Sequence, residues 1–448
     1  MRGCVRKKAR RTQDAAKTRK SQRPFFFYFA CSNSQQKQGQ HMWRMIGPAL
    51  LFSGAAIGTS HLFQSTRAGA VYGLGLVGVI LFACLLKYPA FRFGVDYGHS
   101  ARRSLVAGYR ELGLWAPLLF TAVVMILFPI VFAALASATA GITSAVFGLD
   151  LSLPPLALVL LSVAAIILLG GGYDWLDKIN RVLVLFLLVS TLATTAMVLP
   201  QVEWGTLFDY SWVVDPKAIL FVVALAGFMP NPLDVSVTQS MWTAEAEHQQ
   251  DEKQPVALTE ARTAFLAGYV MTAVLAVCFC IMGAGVMHSA GIVPETSAPG
   301  LANQITRLYS SVLGDEAATL AAIAALSVMA TTLLAALDIG GRHVASTWQE
   351  TFGQPGELAF NRTYRIAIPS LIACTALFLF LFTDSFTALL DLATSGAFVA
   401  APMLATLNHL VVTRCEMHES GRPSSAIKAL NLLAIAVMTA LAVAYFAL

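Results

Sequence analysis

Charged residues are scarce in this chain. Only 12% of its 448 residues are Asp, Glu, Lys or Arg, whereas 57% are hydrophobic. Soluble domains carry roughly 25% charged residues, so this composition excludes an ordinary soluble protein. The mean hydropathy of +0.67 indicates an integral membrane protein instead.

The sequence also lacks motifs typical of enzymes, of disulfide-bonded domains and of metal-binding domains. The sequence contains no P-loop, nucleophile elbow, HExxH or CxxC pattern, so we expect no enzymatic activity and no cofactor. Most of the seven cysteines lie inside apolar segments and are expected to be packing residues. The net charge of +5 does not predict nucleic-acid binding, because 12 of the 30 basic residues fall within residues 1–44.

Residues 1–44 form a basic, mostly polar head in front of a membrane domain that spans residues 45–448. The head has three interpretations: a secretory leader, a basic cytoplasmic tail, or a start assigned too early, with translation beginning at Met42 or Met45. Its apolar run at 24–31 is short for a leader. We therefore favour the last two interpretations and expect this region to be disordered.

About eleven apolar stretches are long enough to cross a bilayer. They lie near 45–71, 75–95, 115–140, 153–172, 178–200, 217–241, 263–287, 316–340, 364–383, 386–412 and 426–447. Fourteen Lys and Arg residues fall in the connections on one side and two on the other. The positive-inside rule then predicts a cytoplasmic N-terminus and an outer C-terminus, in the inner (plasma) membrane of a bacterium.

The first and sixth segments are both interrupted at their centres. Gly58, Thr59 and Ser60 weaken the first, and Pro230 and Pro232 break the sixth. Freed backbone groups at membrane depth are tolerated only against protein or a polar cavity. A matched pair of broken helices predicts a transporter with five helices repeated in inverted topology, here about 45–200 and 217–412, plus an extra helix at 426–447.

His61 follows the first break and has two interpretations. A neutral imidazole at that depth is able to ligate a divalent metal or to carry a proton, as ionisable groups inside membranes commonly do. The alternative is a histidine hydrogen-bonded to a nearby backbone carbonyl. The sequence favours a functional His61 because of its depth.

The second break offers a thioether, free carbonyls and a carboxylate. Pro230 and Pro232 have no amide hydrogen to donate, so carbonyl groups near Ala226 are left without a partner in the helix. The thioether of Met229 lies beside these carbonyls and is a ligand that favours soft or borderline metals. Asp234 is either a ligand or proton carrier, or an acid in the first turn of a helix capped by Asn231. Met229 as plain core filler is the alternative for the thioether.

Further charges lie within apolar segments. Arg67 follows the first break, and Asp338 and Asp391 lie in the eighth and tenth segments, so either acid is a candidate to pair with an arginine or to line the path. Lys87 and Arg92 are predicted to be snorkelling anchors at the inner end of the second segment.

These residues carry a resemblance to a known family from about Ile46 to the C-terminus. Gly47-Pro48, the run from Ala68 to Gly73, the stretch that begins at Tyr173, and Met229-Pro230 resemble motifs of the natural resistance-associated macrophage protein (Nramp) family. The resemblance implies a LeuT-type fold and proton-coupled import of Mn²⁺ or Fe²⁺. It also implies that the carbonyl of Ala226 and the thioether of Met229 face the metal.

The chain departs from the family pattern at its metal ligands. The family's Asp-Pro-Gly-Asn motif falls on Gly58 to His61, and the His-Asn after Met-Pro falls on Asn231 and Pro232. The third segment, at 123–147, carries no carboxylate, whereas the family's proton pathway has acids there. We infer that His61 and Asp234 are candidates to replace the lost ligands.

Two functions follow from this sequence. The first is a secondary active transporter that moves a divalent transition metal by alternating access, with protons as a possible coupling ion. The candidate binding residues are His61, Met229, Ala226, Asp234, Gly58 and Asn231. The alternative is a carrier of a small anionic or zwitterionic solute, which would use Arg67 and the amides of the half-helices. A receptor would need a soluble output domain, which the sequence does not contain.

Overall fold

The computed structural model describes residues 58–170, 174–248, 257–353, 356–382 and 385–447. Within these ranges the chain forms fourteen α-helices and no β-strand. They are α1 (Thr66–Tyr72), α2 (Val77–Ala101), α3 (Leu105–Leu112), α4 (Trp115–Phe147), α5 (Leu153–Gly170), α6 (Asp174–Val198), α7 (Pro216–Gly227), α8 (Val235–His248), α9 (Leu258–Met282), α10 (Ala298–Leu313), α11 (Asp315–Phe352), α12 (Glu357–Leu381), α13 (Phe386–Arg414) and α14 (Ser425–Ala447). Two π-helical turns, Ser60–Ser65 and Gly283–His288, adjoin α1 and α9.

The helices agree with the predicted apolar segments. By length and composition, eight described helices are able to span a membrane, and α7 and the end of α6 are shorter apolar helices. The part of the first segment before residue 58, the predicted head at 1–44 and the start of the stretch at Tyr173 lie outside the described residues.

Several helices run further than the sequence predicts. The second segment was expected to end near residue 95, but α2 continues to Ala101. The extension is possible because its charges are paired: the Asp96 carboxylate accepts from Arg262 Nε at 2.6 Å and from Arg92 Nε at 3.3 Å. Paired charges cost less to keep at a helix end inside a protein than isolated ones.

The sixth segment is split between two packing partners. Its first half, α7, packs on α13, and its second half, α8, packs on α2. The long helices α4 and α11 pack against each other and enclose the remaining side of the break. The core is built from these contacts, and it includes four of the five described cysteines, namely Cys84, Cys278, Cys280 and Cys415, as free thiols.

Candidate functional site

The second break is a seven-residue turn between two half-helices. α7 ends at Gly227 and α8 begins at Val235, and the Met229–Pro230 peptide bond in between is cis. The break is pressed against α13, because a Cβ atom on Gly227 would lie 1.8 Å from the backbone oxygen of Thr394. Only glycine allows this approach of the two backbones.

The second half-helix starts later than the capping pattern predicts. The first backbone bond of its opening turns runs from Val235 N to the oxygen of Pro232, and both Val237 N and Thr238 N donate to Asp234 O. Asn231 is therefore not the N-cap, and the expectation of a helix that begins at Pro232 is wrong. Asp234 stands immediately before α8, where its carboxylate is free to face the interior.

Lys87 of α2 enters the second break. Its ammonium nitrogen donates to the carbonyl oxygens of Ala226 at 2.7 Å, Gly227 at 2.5 Å and Asn231 at 3.4 Å. The side chain is only 1% exposed. The expected role as a snorkelling anchor is wrong for this residue, because Lys87 lies at the middle of the longer α2 and points into the protein.

This lysine stabilises the C-terminal end of α7. The last carbonyls of a helix lack partners within the helix and carry partial negative charge, so a cation at this end is favourable. Ala226 O also accepts from the amides of Phe228 and Met229. The carbonyl that the resemblance assigns to the metal is thus engaged by an ammonium group.

The first break leads through a bend at Gly58 into the π-helical turn that contains His61. His61 is fully buried, with Nε2 3.0 Å from the backbone oxygen of Thr272 and Nδ1 2.8 Å from Ser60 Oγ. A carbonyl only accepts, so Nε2 carries a proton, and in the neutral ring Nδ1 accepts from the Ser60 hydroxyl. His61 therefore joins the first break to α9, and its hydrogen bond to a carbonyl is the geometry of the alternative interpretation.

Met229 contacts the first break through Ser65. The Ser65 hydroxyl lies 3.9 Å from Met229 Sδ and 3.3 Å from the carbonyl oxygen of Ser60, within hydrogen-bonding reach of both. Met229 is fully buried. The two breaks therefore lie side by side, as the sequence predicts, and Ser65 connects them.

A cavity of about 70 Å³ lies between the two breaks. The first break contributes Gly58, Thr59 and Ser60 to its wall, and α4 and α11 close it with mostly apolar side chains. The second break contributes Phe228, Asn231, Pro232 and Asp234. Gly58 has little room for a side chain, since a Cβ there would lie 3.1 Å from Thr332 Cγ2.

Two polar groups in this cavity make no hydrogen bond to another residue that the structure describes. The Nδ2 atom of Asn231 is buried and makes no hydrogen bond in the described part of the chain. The half-buried carboxylate of Asp234 lines the cavity and is hydrogen-bonded to its own backbone amide, and no other described residue forms a hydrogen bond or an ion pair with it. Lys87 acts on this carboxylate only as a nearby charge. Across the described ranges, no cluster of three or more His, Cys, Asp or Glu side chains is positioned to hold a metal.

Arg67, Asp391 and Asp338 lie in two separate ion pairs, with Arg342 as the fourth member. Arg67 of α1 binds Asp391 of α13 through two hydrogen bonds, NH1 to Oδ1 at 2.8 Å and NH2 to Oδ2 at 3.1 Å. Asp338 of α11 accepts from Arg342 Nε at 2.8 Å and from the Tyr364 hydroxyl at 2.6 Å. None of these side chains lines the cavity.

The sequence and structure comparisons agree with this geometry. The model of the natural resistance-associated macrophage protein-like family matches residues 49–448. This chain belongs to the Nramp family. An uncharacterised protein of Pasteurella multocida (strain Pm70) is 28% identical over 383 residues, which cover 84% of this chain and 87% of that protein.

Solved structures share the fold of this Nramp protein. A mutant of the manganese transporter of Eremococcus coleocola has a TM-score of 0.66 at 14% identity, over 92% of this chain and 88% of that one. MhsT in complex with L-phenylalanine has a TM-score of 0.64 at 16% identity, over 90% of this chain and 97% of that one. The five-plus-five LeuT-type architecture is therefore confirmed.

Sequence reasoning missed three of the residues that shape the site. Lys87, Ser65 and Thr272 each supply a contact to one of the breaks. Only Lys87 carried a signal, since a lysine ten residues into an apolar helix lies too deep to reach the membrane surface. The contact of Thr272 uses its backbone oxygen and has no side-chain signal.

Proposed function

We propose that this protein is a secondary active transporter that carries a divalent transition metal of the Mn²⁺ or Fe²⁺ kind by alternating access. Membership of the Nramp family supports this proposal, and a solved structure with the same fold is a manganese transporter. The cavity between the breaks would hold the ion, with the surrounding helices opening alternately to the two sides of the membrane.

The observation that carries the proposal is the carboxylate of Asp234. It lines the cavity, and apart from its own backbone amide it has no hydrogen-bond or ion-pair partner among the described residues. A carboxylate at membrane depth is costly unless a cation partners it, and such groups commonly mark ion pathways. A bound metal would supply that cation, and a proton would supply it between transport steps.

The ligand set differs from the one that the resemblance implies. Asp234 would be the charged ligand, with the Asn231 amide and the hydroxyl groups of Thr59 and Ser60 beside it in the cavity wall. Rotating the amide by a half-turn presents its oxygen in place of its nitrogen, and the two are hard to distinguish in structures. Carboxylate, amide and hydroxyl oxygens suit Mn²⁺ better than soft metals.

The two ion pairs would act as gates on opposite sides of the cavity. Arg67 and Asp391 join α1 to α13, and Arg67 also lies over the ring of Phe221 in α7, 5.0 Å from its centre. All three elements meet on the side of the breaks predicted to face outward. Asp338, which pairs with Arg342 within α11 and accepts from the Tyr364 hydroxyl of α12, would serve the side predicted to face the cytoplasm.

Flux measurements in liposomes test this function. The purified full chain is expected to import Mn²⁺ or Fe²⁺, and an Asp234→Asn variant is expected to lose most of that flux. Asp209→Asn, in the exposed connection before α7, is the matched control and should behave as the wild type. Repeating the assay with and without a pH gradient tests proton coupling. Absence of flux for Mn²⁺, Fe²⁺, Zn²⁺ and Mg²⁺ would contradict the metal assignment.

A second candidate function has one observation in its favour. Lys87 places a positive charge on the carbonyls where a metal would otherwise bind, and most of the cavity wall is apolar. A small zwitterionic solute would match this combination, with its ammonium group on Asp234 and its acidic group on the Asn231 amide. Uptake of such solutes by liposomes that take up no metal would favour this alternative.

A further inference from the structure

We propose that Lys87 is a tethered cation that occupies the metal-coordinating end of α7 and so determines which ions the protein accepts. It would exclude a metal from the Ala226 carbonyl and the Met229 thioether, and restrict the substrate cation to the cavity beside Asp234. That the substrate cation is restricted to the cavity rests on the proposed function. That Lys87 keeps metals away from the Ala226 carbonyl and the Met229 thioether is independent of the substrate.

The hydrogen bonds of Lys87 use the donors of its ammonium group and supply partners to the carbonyls at the break. An ammonium group has three donors, and Lys87 Nζ has three carbonyl oxygens within reach, those of Ala226, Gly227 and Asn231. Two of these carbonyls end α7, and the third lies on the far side of the cis peptide bond. The lysine therefore binds the break from both ends and fills the site in which bare carbonyls would attract an ion.

Electrostatic repulsion by the ammonium group of Lys87 would keep a second cation away from these carbonyls. A divalent ion coordinated by Ala226 O would lie within a few ångströms of the ammonium, in a site where Lys87 is 1% exposed and water does not screen the charges. The negative end of the α7 dipole attracts one cation, and the covalently attached lysine is always present at that end. A metal would have to displace it.

The position of Met229 agrees with this assignment. Its sulfur is directed at Ser65 Oγ, and Met229 is not among the residues that line the cavity. Neither Met229 nor Ala226 lines the cavity, so the soft site proposed here, made of the thioether and the Ala226 carbonyl, would lie beside the lysine rather than in the cavity. Removing the lysine side chain should open that site to a soft divalent ion.

Cd²⁺ binding to the purified full chain, measured by isothermal titration calorimetry, tests the proposal. Lys87→Ala is expected to bind Cd²⁺ at least tenfold more tightly than the wild type, and adding Met229→Ala should abolish the gain. Lys217→Ala is the matched control, because Lys217 is exposed at the N-terminal end of α7, opposite the end that Lys87 contacts. A Lys87→Ala protein with an intact melting transition and unchanged Cd²⁺ affinity would overturn the proposal.

A second variant covers the case in which Lys87→Ala does not fold. If Lys87 excludes metals, Met229→Ala in the otherwise wild-type protein should leave Cd²⁺ and Mn²⁺ affinity within twofold. A tenfold loss in that variant would place the metal at Met229 despite the lysine and overturn the proposal. Failure of the proposed function looks different, since it removes wild-type Mn²⁺ flux while the Cd²⁺ gain of Lys87→Ala persists.

Discussion

Arg67 and Asp391 face each other across the boundary between α1 and α13 and share two parallel hydrogen bonds. Gln64 completes the contact, because its amide nitrogen donates to Asp391 Oδ1 at 2.8 Å while its oxygen accepts from Arg67 NH1 at 2.5 Å. Such forked pairs fix orientation as well as distance. The contact ties the helix after the first break to a helix of the second repeat.

We predict that breaking this pair opens the cavity to one side of the membrane. Asp391→Asn removes the charge and one of the two bonds to Arg67. Thr59 lines the cavity and is 1% exposed. A Cys at Thr59 should therefore react about tenfold faster with a charged methanethiosulfonate reagent added outside, which corresponds to a population shift of about 1.4 kcal/mol.

The other ion pair provides a matched control for this experiment. Asp338→Asn removes the same charge from the pair with Arg342, which lies within α11, and changes the acceptor of the Tyr364 hydroxyl of α12. It should not accelerate labelling of Thr59→Cys from the outside, because it acts on the opposite side of the cavity. Equal acceleration by both substitutions would indicate general loosening of the protein and contradict a gate at Arg67 and Asp391.

We predict that His61 stabilises the fold and does not bind the metal. His61→Ala removes the bonds to Thr272 O and Ser60 Oγ, both buried. Loss of buried hydrogen bonds costs about 1–3 kcal/mol, so the melting temperature should fall. Mn²⁺ affinity measured on the folded fraction should stay the same. A large loss of Mn²⁺ affinity at an unchanged melting temperature would assign His61 to the metal instead.

We predict that Gly227 is required for the packing of the break. Gly227→Ala places a methyl group 1.8 Å from Thr394 O, so α7 and α13 must separate. Overpacking of this kind typically costs about 1–3 kcal/mol. The measurement is the melting temperature in detergent, with Gly78→Ala as the control, since no atom lies within 4 Å of a Cβ on Gly78 in α2. A Gly227→Ala protein as stable as the control would contradict this account of the packing.

The break in the sixth segment was predictable from the sequence, whereas the contact of Lys87 with the carbonyls of that break was not, although the depth of Lys87 in an apolar segment was a signal that it points into the protein. Pro230 and Pro232 cannot donate amide hydrogens, so a helix interruption follows from covalent structure alone. The role of Lys87 depends on where α2 ends. The apolar pattern stops near residue 95, but ion pairs around Asp96 carry the helix to Ala101. Lys87 is eight residues from the inner end of the predicted segment but fourteen residues from the end of α2 at Ala101, so its ammonium group is too far from that end to reach the membrane surface.

The candidate site was likewise predictable in part. The sequence identified Asp234, Asn231 and Gly58, and all three line the cavity. It also proposed Met229 and His61, which adjoin the breaks and contact Ser65 and Thr272 instead of the cavity. Side-chain direction within a turn depends on backbone angles that residue types do not fix, so the sequence located the breaks better than it predicted which side chains line the cavity.

The most direct test of this account is a crystal structure of the full chain soaked with Mn²⁺, with anomalous scattering used to locate the ion. The account predicts a peak in the cavity beside Asp234, with Lys87 still bonded to the carbonyls of Ala226 and Gly227. A peak at Met229 and the Ala226 carbonyl, with Lys87 displaced, would contradict it.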